Sequence, residues 1–153
     1  MTREKTCCVT GHRIIPADKQ DMVKSALRQE VVQAISEGYT HFISGFAAGV
    51  DLIFAETVAE LKQKYPITLE AAIPYPGRMN TLDKTFQQLI KSCDDVKVHA
   101  DHYFKGCYML RNRYMVDSST ILIAVCDDRE FGGTVATMRY ANATGCLIRA
   151  IHL

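Results

Sequence analysis

Tryptophan is absent from this 153-residue sequence, proline occurs four times, and neither sign of charge dominates. Lys and Arg number 18 against 17 Asp and Glu, a net of +1. No bulk field therefore draws the chain to nucleic acid or to an anionic membrane, and nucleic acid is not expected as a partner. No apolar run approaches the roughly 18–20 residues needed to span a bilayer, which excludes a helical membrane span. The opening stretch MTREKTCCVTGHR is charged and lacks the apolar core of a signal peptide, so the cytoplasm is the expected compartment. Six cysteines, at 7, 8, 93, 107, 126 and 146, form no C-x-x-C pair. Most lie in apolar stretches of a chain large enough to need no disulfide framework. Cys93, His99, His102 and Cys107 match no common zinc spacing and fall on at least two elements, so no metal is expected there.

What is present is ordinary globular material, 48% hydrophobic and 23% charged, which places residues 1–153 in one domain. Short apolar runs alternate with longer helical periods. TCCVT (6–10), HFIS (41–44), ITLEAAIP (67–74), DVKVH (95–99), STILIAV (119–125) and CLIRAIHL (146–153) read as strands. Between them, apolar spacing predicts helices over 18–37, with Asp18 as N-cap and Gly38 past the end, over 51–64, around Leu82–Ile90, over 107–117, and from Gly132-Gly133 to about 144. The most apolar strand, 119–125, belongs at the sheet centre. This alternation predicts an α/β fold: a doubly wound, mainly parallel sheet with helices on both faces.

In such sheets a ligand sits beyond the carboxyl ends of the strands. Four segments converge on that edge: Thr10-Gly11-His12-Arg13, Ser44-Gly45 running on to Gly49 and Asp51, Pro74-Tyr75-Pro76-Gly77-Arg78, and Asp127 through Gly132-Gly133-Thr134. Two glycine-led helix N-termini suit phosphate oxygens, because their free N–H groups carry partial positive charge. The hydroxyls of Thr10, Ser44 and Thr134 add donors, and an arginine clamps two oxygens at once. The competing reading of Gly45 and Gly49 is a tight turn with close helix packing. His12 is assigned to phosphate or base contact in preference to proton transfer. Asp51 is a ribose-hydroxyl ligand or a helix cap. Arg111 and Arg113, two apart on one helix, point in different directions; one belongs to the site, and the other pairs with a group such as Asp117. Neither G-x-G-x-x-G nor a Walker lysine loop occurs.

TCCVTGHR, FISGFAAGVDLIFAETV, GCYMLRNRYMVDSSTILIAV and GGTVATMRYA occur in the order seen in YpsA-like proteins of the SLOG superfamily, which the chain resembles over essentially its whole length. That superfamily also holds the DNA-processing protein DprA/Smf and the LOG phosphoribohydrolases. The resemblance implies a Rossmann-like domain that binds a nucleotide or nucleotide-derived ligand of the AMP, ADP-ribose or NAD type as a sensor or regulator. It carries over Gly11, His12, Arg13, Gly45, Gly49, Asp51, Arg111, Asn112, Arg113, Gly132, Gly133 and Thr134 as ligand contacts. The alternatives it implies are N-glycosidic hydrolysis of a nucleoside monophosphate or ADP-ribose derivative, and DprA-like binding of single-stranded DNA. LOG enzymes place a catalytic glutamate three residues after the threonine of their glycine motif; that position is Thr137 here. Glu130, Asp127 or Asp128 would have to substitute. PYPGRMNTLDK also lacks the Gln and Trp common in relatives. Association of identical copies is left open.

Overall fold

A computed structural model describes residues 5–153. The first four positions, part of the charged opening stretch and of the 1–153 domain, lie outside the described residues. The elements run β1 (Thr6–Thr10), α1 (Gln20–Ser36), β2 (His41–Ser44), α2 (Val50–Leu61), β3 (Thr68–Ile73), α3 (Lys84–Ile90), β4 (Asp95–Val98), α4 (Cys107–Asp117), β5 (Ile121–Cys126), α5 (Gly133–Thr144) and β6 (Leu147–His152). The strands form one sheet in the order β4-β3-β2-β1-β5-β6, and every pairing is parallel. The fold is the α/β, Rossmann-like, doubly wound sheet. Among the described residues no helix is long and apolar enough to cross a membrane.

Alternation of side chains along each strand builds two cores. Cys7 and Val9, Phe42, Leu69, Ala71 and Ile73, and Ile121, Ile123 and Val125 pack with α1, α2 and α3. Their intervening neighbours Cys8, Ile43, Ala72 and Leu122 face α4 and α5 with Met115, Val116 and Ala141. Both faces of β1, β2 and β5 are covered, so these strands are buried along their whole length, and β5 is apolar throughout.

Several expected boundaries shift by a few residues, two of them for a visible reason. Asp18 is not an N-cap: Ala17–Lys19 form a 3-10 turn with no side-chain cap, and α1 begins at Gln20. Pro16, extended at ψ 137°, accepts from the Lys19 N–H and sets that turn. The strand expected from 119 begins at Ile121, because the Ser119 hydroxyl donates back to the Met115 carbonyl (2.7 Å) and continues the helix end.

One carboxylate is buried in the sheet. Glu70 of β3 is 2% exposed; it meets His41 Nε2 at 2.7 Å and accepts from the Tyr114 hydroxyl of α4. Burial alone would raise its pKa. The bonds to His41 and Tyr114 and the nearby Lys97 charge outweigh that and hold it below the ordinary value. Its stabilisation is therefore present above the unfolded value of 4.5 and lost as pH falls through the lower folded value. Glu70→Ala, which removes the carboxylate bonded to His41 Nε2 and the Tyr114 hydroxyl, is expected to cost roughly 3–5 kcal/mol in urea melts at pH 7. The deficit should shrink below pH 4, and an unchanged deficit there would show that the carboxylate charge is not what matters.

Candidate functional site

The chain leaves β1 towards β2 on one side, and later returns to place β5 on the other. The crevice above this reversal is where doubly wound sheets bind ligands. A cavity of about 430 Å³ lies there. Thr10, Gly11, His12 and Arg13 line it from the end of β1, Ala47 and Asp51 from the β2–α2 connection, and Tyr108, Arg111 and Asn112 from α4. Arg129, Gly132, Gly133 and Thr134 close it from the loop into α5. Most of the predicted site residues thus meet in one place.

The glycines divide by cause. A Cβ on Gly11 would lie 2.5 Å from the Val50 side chain, and one on Gly49 (φ +82°) would lie 2.5 Å from the His12 and Arg13 carbonyl oxygens. One on Gly45 would come within 2.7 Å of the Arg111 guanidinium. In the first glycine loop the close-packing reading therefore holds. The start of α2 is not an open anion site, because its Val50 N–H donates to the His12 carbonyl and the Ala47 N–H to the Asp51 carboxylate. Gly132 (φ +120°) and Gly133 are different, since a Cβ on either meets nothing within 4 Å. Of the two N-termini expected at the ligand, only that of α5 opens into the cavity.

Arg111 is 4% exposed. Its Nη1 donates to the carbonyls of Gly45 (2.6 Å) and Ala72 (2.9 Å), and Nε to Asn112 Oδ1 (2.8 Å). Both Nη1 protons and the Nε proton are used. Among the described residues the two on Nη2 have no protein acceptor, so they remain for the cavity. Phe46 supports this arrangement from an unusual backbone position, φ 57°, with its ring buried edge-on against Phe86 at 5.4 Å. That turn aims the Gly45 carbonyl at the guanidinium. Asp51, 7% exposed, is the carboxyl beside it. Burial pushes its pKa up to about 6 despite the opposing pull of Arg111 and the Ala47 N–H.

His12 is 7% exposed, and its Nε2 has no hydrogen-bond partner; Asp127 lies 3.5 Å away and Thr134 Oγ1 stands 3.5 Å from Nδ1. Burial, then the Arg129 charge, lower its pKa, which favours the neutral ring at pH 7. Arg129 grips Asp127 through two 2.8 Å bonds, which hold that carboxyl well below the usual range.

Three expectations are corrected. Arg113 is exposed and lies over the Tyr140 ring of α5 (5.1 Å), away from the cavity; Asp117 accepts from Tyr140 rather than pairing with it. Ser44 does not face the cavity, because its hydroxyl donates to the Asp51 carbonyl (2.8 Å) and accepts from the Phe46 N–H. Gly49 faces the opposite side of the loop. Tyr108, absent from the sequence reading, lies beneath Arg13 (5.0 Å) and Arg111 (5.6 Å). Its spacing of three residues before Arg111 is the signal that would have placed it on the same helix face. Position 137 does not enter the cavity, as the Thr137 hydroxyl donates to the Gly133 carbonyl within α5 (2.7 Å). Among the described residues no group of three or more His, Cys, Asp or Glu is placed to hold a metal ion.

The family model described as the YpsA family (YspA SLOG family) matches residues 7–145. A UPF0398 protein of Oceanobacillus iheyensis is 27% identical over 143 residues, which cover 85% of this chain and 77% of that protein. Another, from Halalkalibacterium halodurans, is 28% identical over 117 residues, covering 72% and 62%. DNA processing protein A from Helicobacter pylori, a structure described for its single-stranded DNA binding mode, superposes with a TM-score of 0.67 at 16% identity. The match covers 95% of this chain but only 64% of that one. The TM1055 structure gives 0.62 at 13% identity, over 94% and 72%. What these solved structures share with the chain is the fold.

The Asp51 carboxyl yields a pH test. Below 3.8 it is neutral in both folded and unfolded chains. As pH rises from 3.8 to about 6 the unfolded chain sheds a proton that the native state retains, and stability is lost across that window. Asp51→Asn escapes that loss, so its stability relative to the parent should rise between about pH 3.5 and pH 7 by on the order of 2–3 kcal/mol. A pH-independent difference in chemical melts would mean that ionising Asp51 carries no cost.

Proposed function

We propose that this chain, which belongs to the YpsA family of SLOG proteins, binds a phosphate-bearing, nucleotide-type ligand in the switch-point cavity and serves as a sensor or regulatory protein. One observation carries the reading: the open N-terminus of α5 and the buried Arg111 line the same cavity. The first helical bond of α5 runs from Ala136 N–H to the Gly132 carbonyl (3.0 Å), so the N–H groups before it have no helical acceptor. A phosphate there would take these N–H groups, the Thr134 hydroxyl and the free edge of Arg111.

A second reading has one specific support. Net charge weighed against nucleic acid, but Arg13, Arg78, Arg111 and Arg129 gather on one edge of the sheet, next to Tyr75, Tyr103 and Tyr108. Bulk charge does not describe such an edge, and cations interleaved with rings suit a single strand. The described likeness to DNA processing protein A gives this reading a precedent in fold. N-glycosidic hydrolysis has less to draw on. Asp128 and Glu130 are exposed, Asp127 is committed to Arg129, and Asp51 is the carboxyl that lines the cavity.

Gly133→Val is the cleanest variant, because its side chain would project where no protein atom lies within 4 Å. AMP at 100 times its dissociation constant should stabilise the parent by about 2.7 kcal/mol. Gly133→Val should retain the ligand-free melting temperature and lose that increment. If AMP still stabilises the variant, the α5 N-terminus is not the phosphate site. If a short single-stranded oligonucleotide stabilises the parent and AMP does not, the second reading takes its place.

A further inference from the structure

Next to the main cavity lies a smaller lobe of about 160 Å³, and Arg13, Ala47, Tyr108 and Arg111 line both. Arg78 and Pro74 line the smaller lobe only. Three guanidinium groups therefore share one narrow cleft. Among the described residues neither Arg13 nor Arg78 has an ion pair with a carboxylate. Their positions come from rings instead. Arg13 and Arg111 lie over Tyr108, and Arg78 lies over Phe86 at 5.8 Å. Tyr108 is in turn held edge-on by Tyr75 at 6.1 Å, and Tyr75 by Tyr103 at 5.5 Å.

Stacking on a ring fixes a guanidinium while leaving its N–H edge free. A carboxylate partner would fix it and consume those donors. Burial first lowers the Arg111 pKa; Asp51 pulls it up, and the like charges of Arg13 and Arg78 push it down again. Among the described residues Asp51 is the one carboxyl that lines the main cavity, and no carboxyl lines the smaller lobe. The cleft is short of negative charge in a way one phosphate at α5 does not satisfy, because Arg78 is outside that lobe.

We propose that the smaller lobe is a second anion subsite and that the ligand is a pyrophosphate diester, with one phosphate at the α5 N-terminus and its neighbour between Arg13, Arg78 and Arg111. This rests on the phosphate-site reading above and narrows it from nucleotides in general to dinucleotide-type molecules. Because Arg111 faces both lobes, the two anions must be adjacent, as they are when a single oxygen bridges them. Successive phosphates of a nucleic-acid strand are separated by a whole sugar.

Isothermal titration with AMP and ADP-ribose on the parent and on Arg78→Met tests this. Methionine keeps an apolar stem over Phe86 and removes the charge; the ligand-free melting temperature checks that the variant is folded. ADP-ribose is expected to bind the parent about tenfold or more tighter than AMP, the scale of one charge-assisted contact. Arg78→Met should bring the ratio of the two affinities close to one. AMP binding with no preference for ADP-ribose, or a preference that survives Arg78→Met, overturns the second subsite and leaves the phosphate site standing. Binding of neither molecule removes both. A single-stranded oligonucleotide that binds tighter than ADP-ribose, and weakens in the same variant, overturns the diester in favour of a polynucleotide.

Discussion

A buried guanidinium is costly to place, and much of this molecule's carboxyl edge follows from placing Arg111. Its charge is removed from water with no ionic partner in hydrogen-bond contact; two backbone carbonyls and one side-chain amide take its place. The Gly45 carbonyl can reach it only because the chain turns through Phe46 at positive φ. The residue before that turn must be glycine, since any Cβ would strike the guanidinium. Ser44 then ties the turn to the first residues of α2 through the Asp51 carbonyl. The small residues of this loop thus serve an arginine of the protein, which in turn faces the ligand cavity.

A second tie fixes the helix that carries it. Residues 70 and 72 of β3 point to the same face, towards α4, and residues 111 and 114 of α4 lie on one side of that helix. Tyr114 donates to Glu70 as Arg111 donates to Ala72, so α4 runs antiparallel along β3 on two polar pins. The pin at Glu70 lies below the cavity and involves no ligand contact. It nonetheless sets the height and rotation at which Arg111 arrives.

The architecture was legible in the sequence because buried parallel strands and amphipathic helices leave different periods, and the expected elements differ from the observed ones by only a few residues at their ends. Thr10 to Arg13 and Gly132 to Thr134 were legible for the same reason, as they follow directly from strand ends. The choice between Arg111 and Arg113 was not. Two residues apart on a helix lie about 200° apart, which says that they diverge but not which one points inwards. The neighbours held a clue: Cys107 and Met115, four before and four after Arg111, are buried, whereas Asp117, four after Arg113, is exposed. An arginine within an apolar stripe reads as an error in periodicity until the carbonyls that receive it are known, and those come from residues 45 and 72, far away in sequence.

The glycines were misleading for a related physical reason. A missing Cβ looks the same in sequence whether the space goes to a ligand or to the protein. At Gly11, Gly45 and Gly49 the protein fills it; at Gly132 and Gly133 nothing does. The distinction matters because glycines packed on protein transmit strain to the site, while glycines that face empty space define its floor. A side chain at Gly45 would displace Arg111 and so act on any anion indirectly. A side chain at Gly133 would project into the open cavity without moving another residue. Two substitutions with the same chemical description therefore report on different things, one on how the site is held and the other on what enters it.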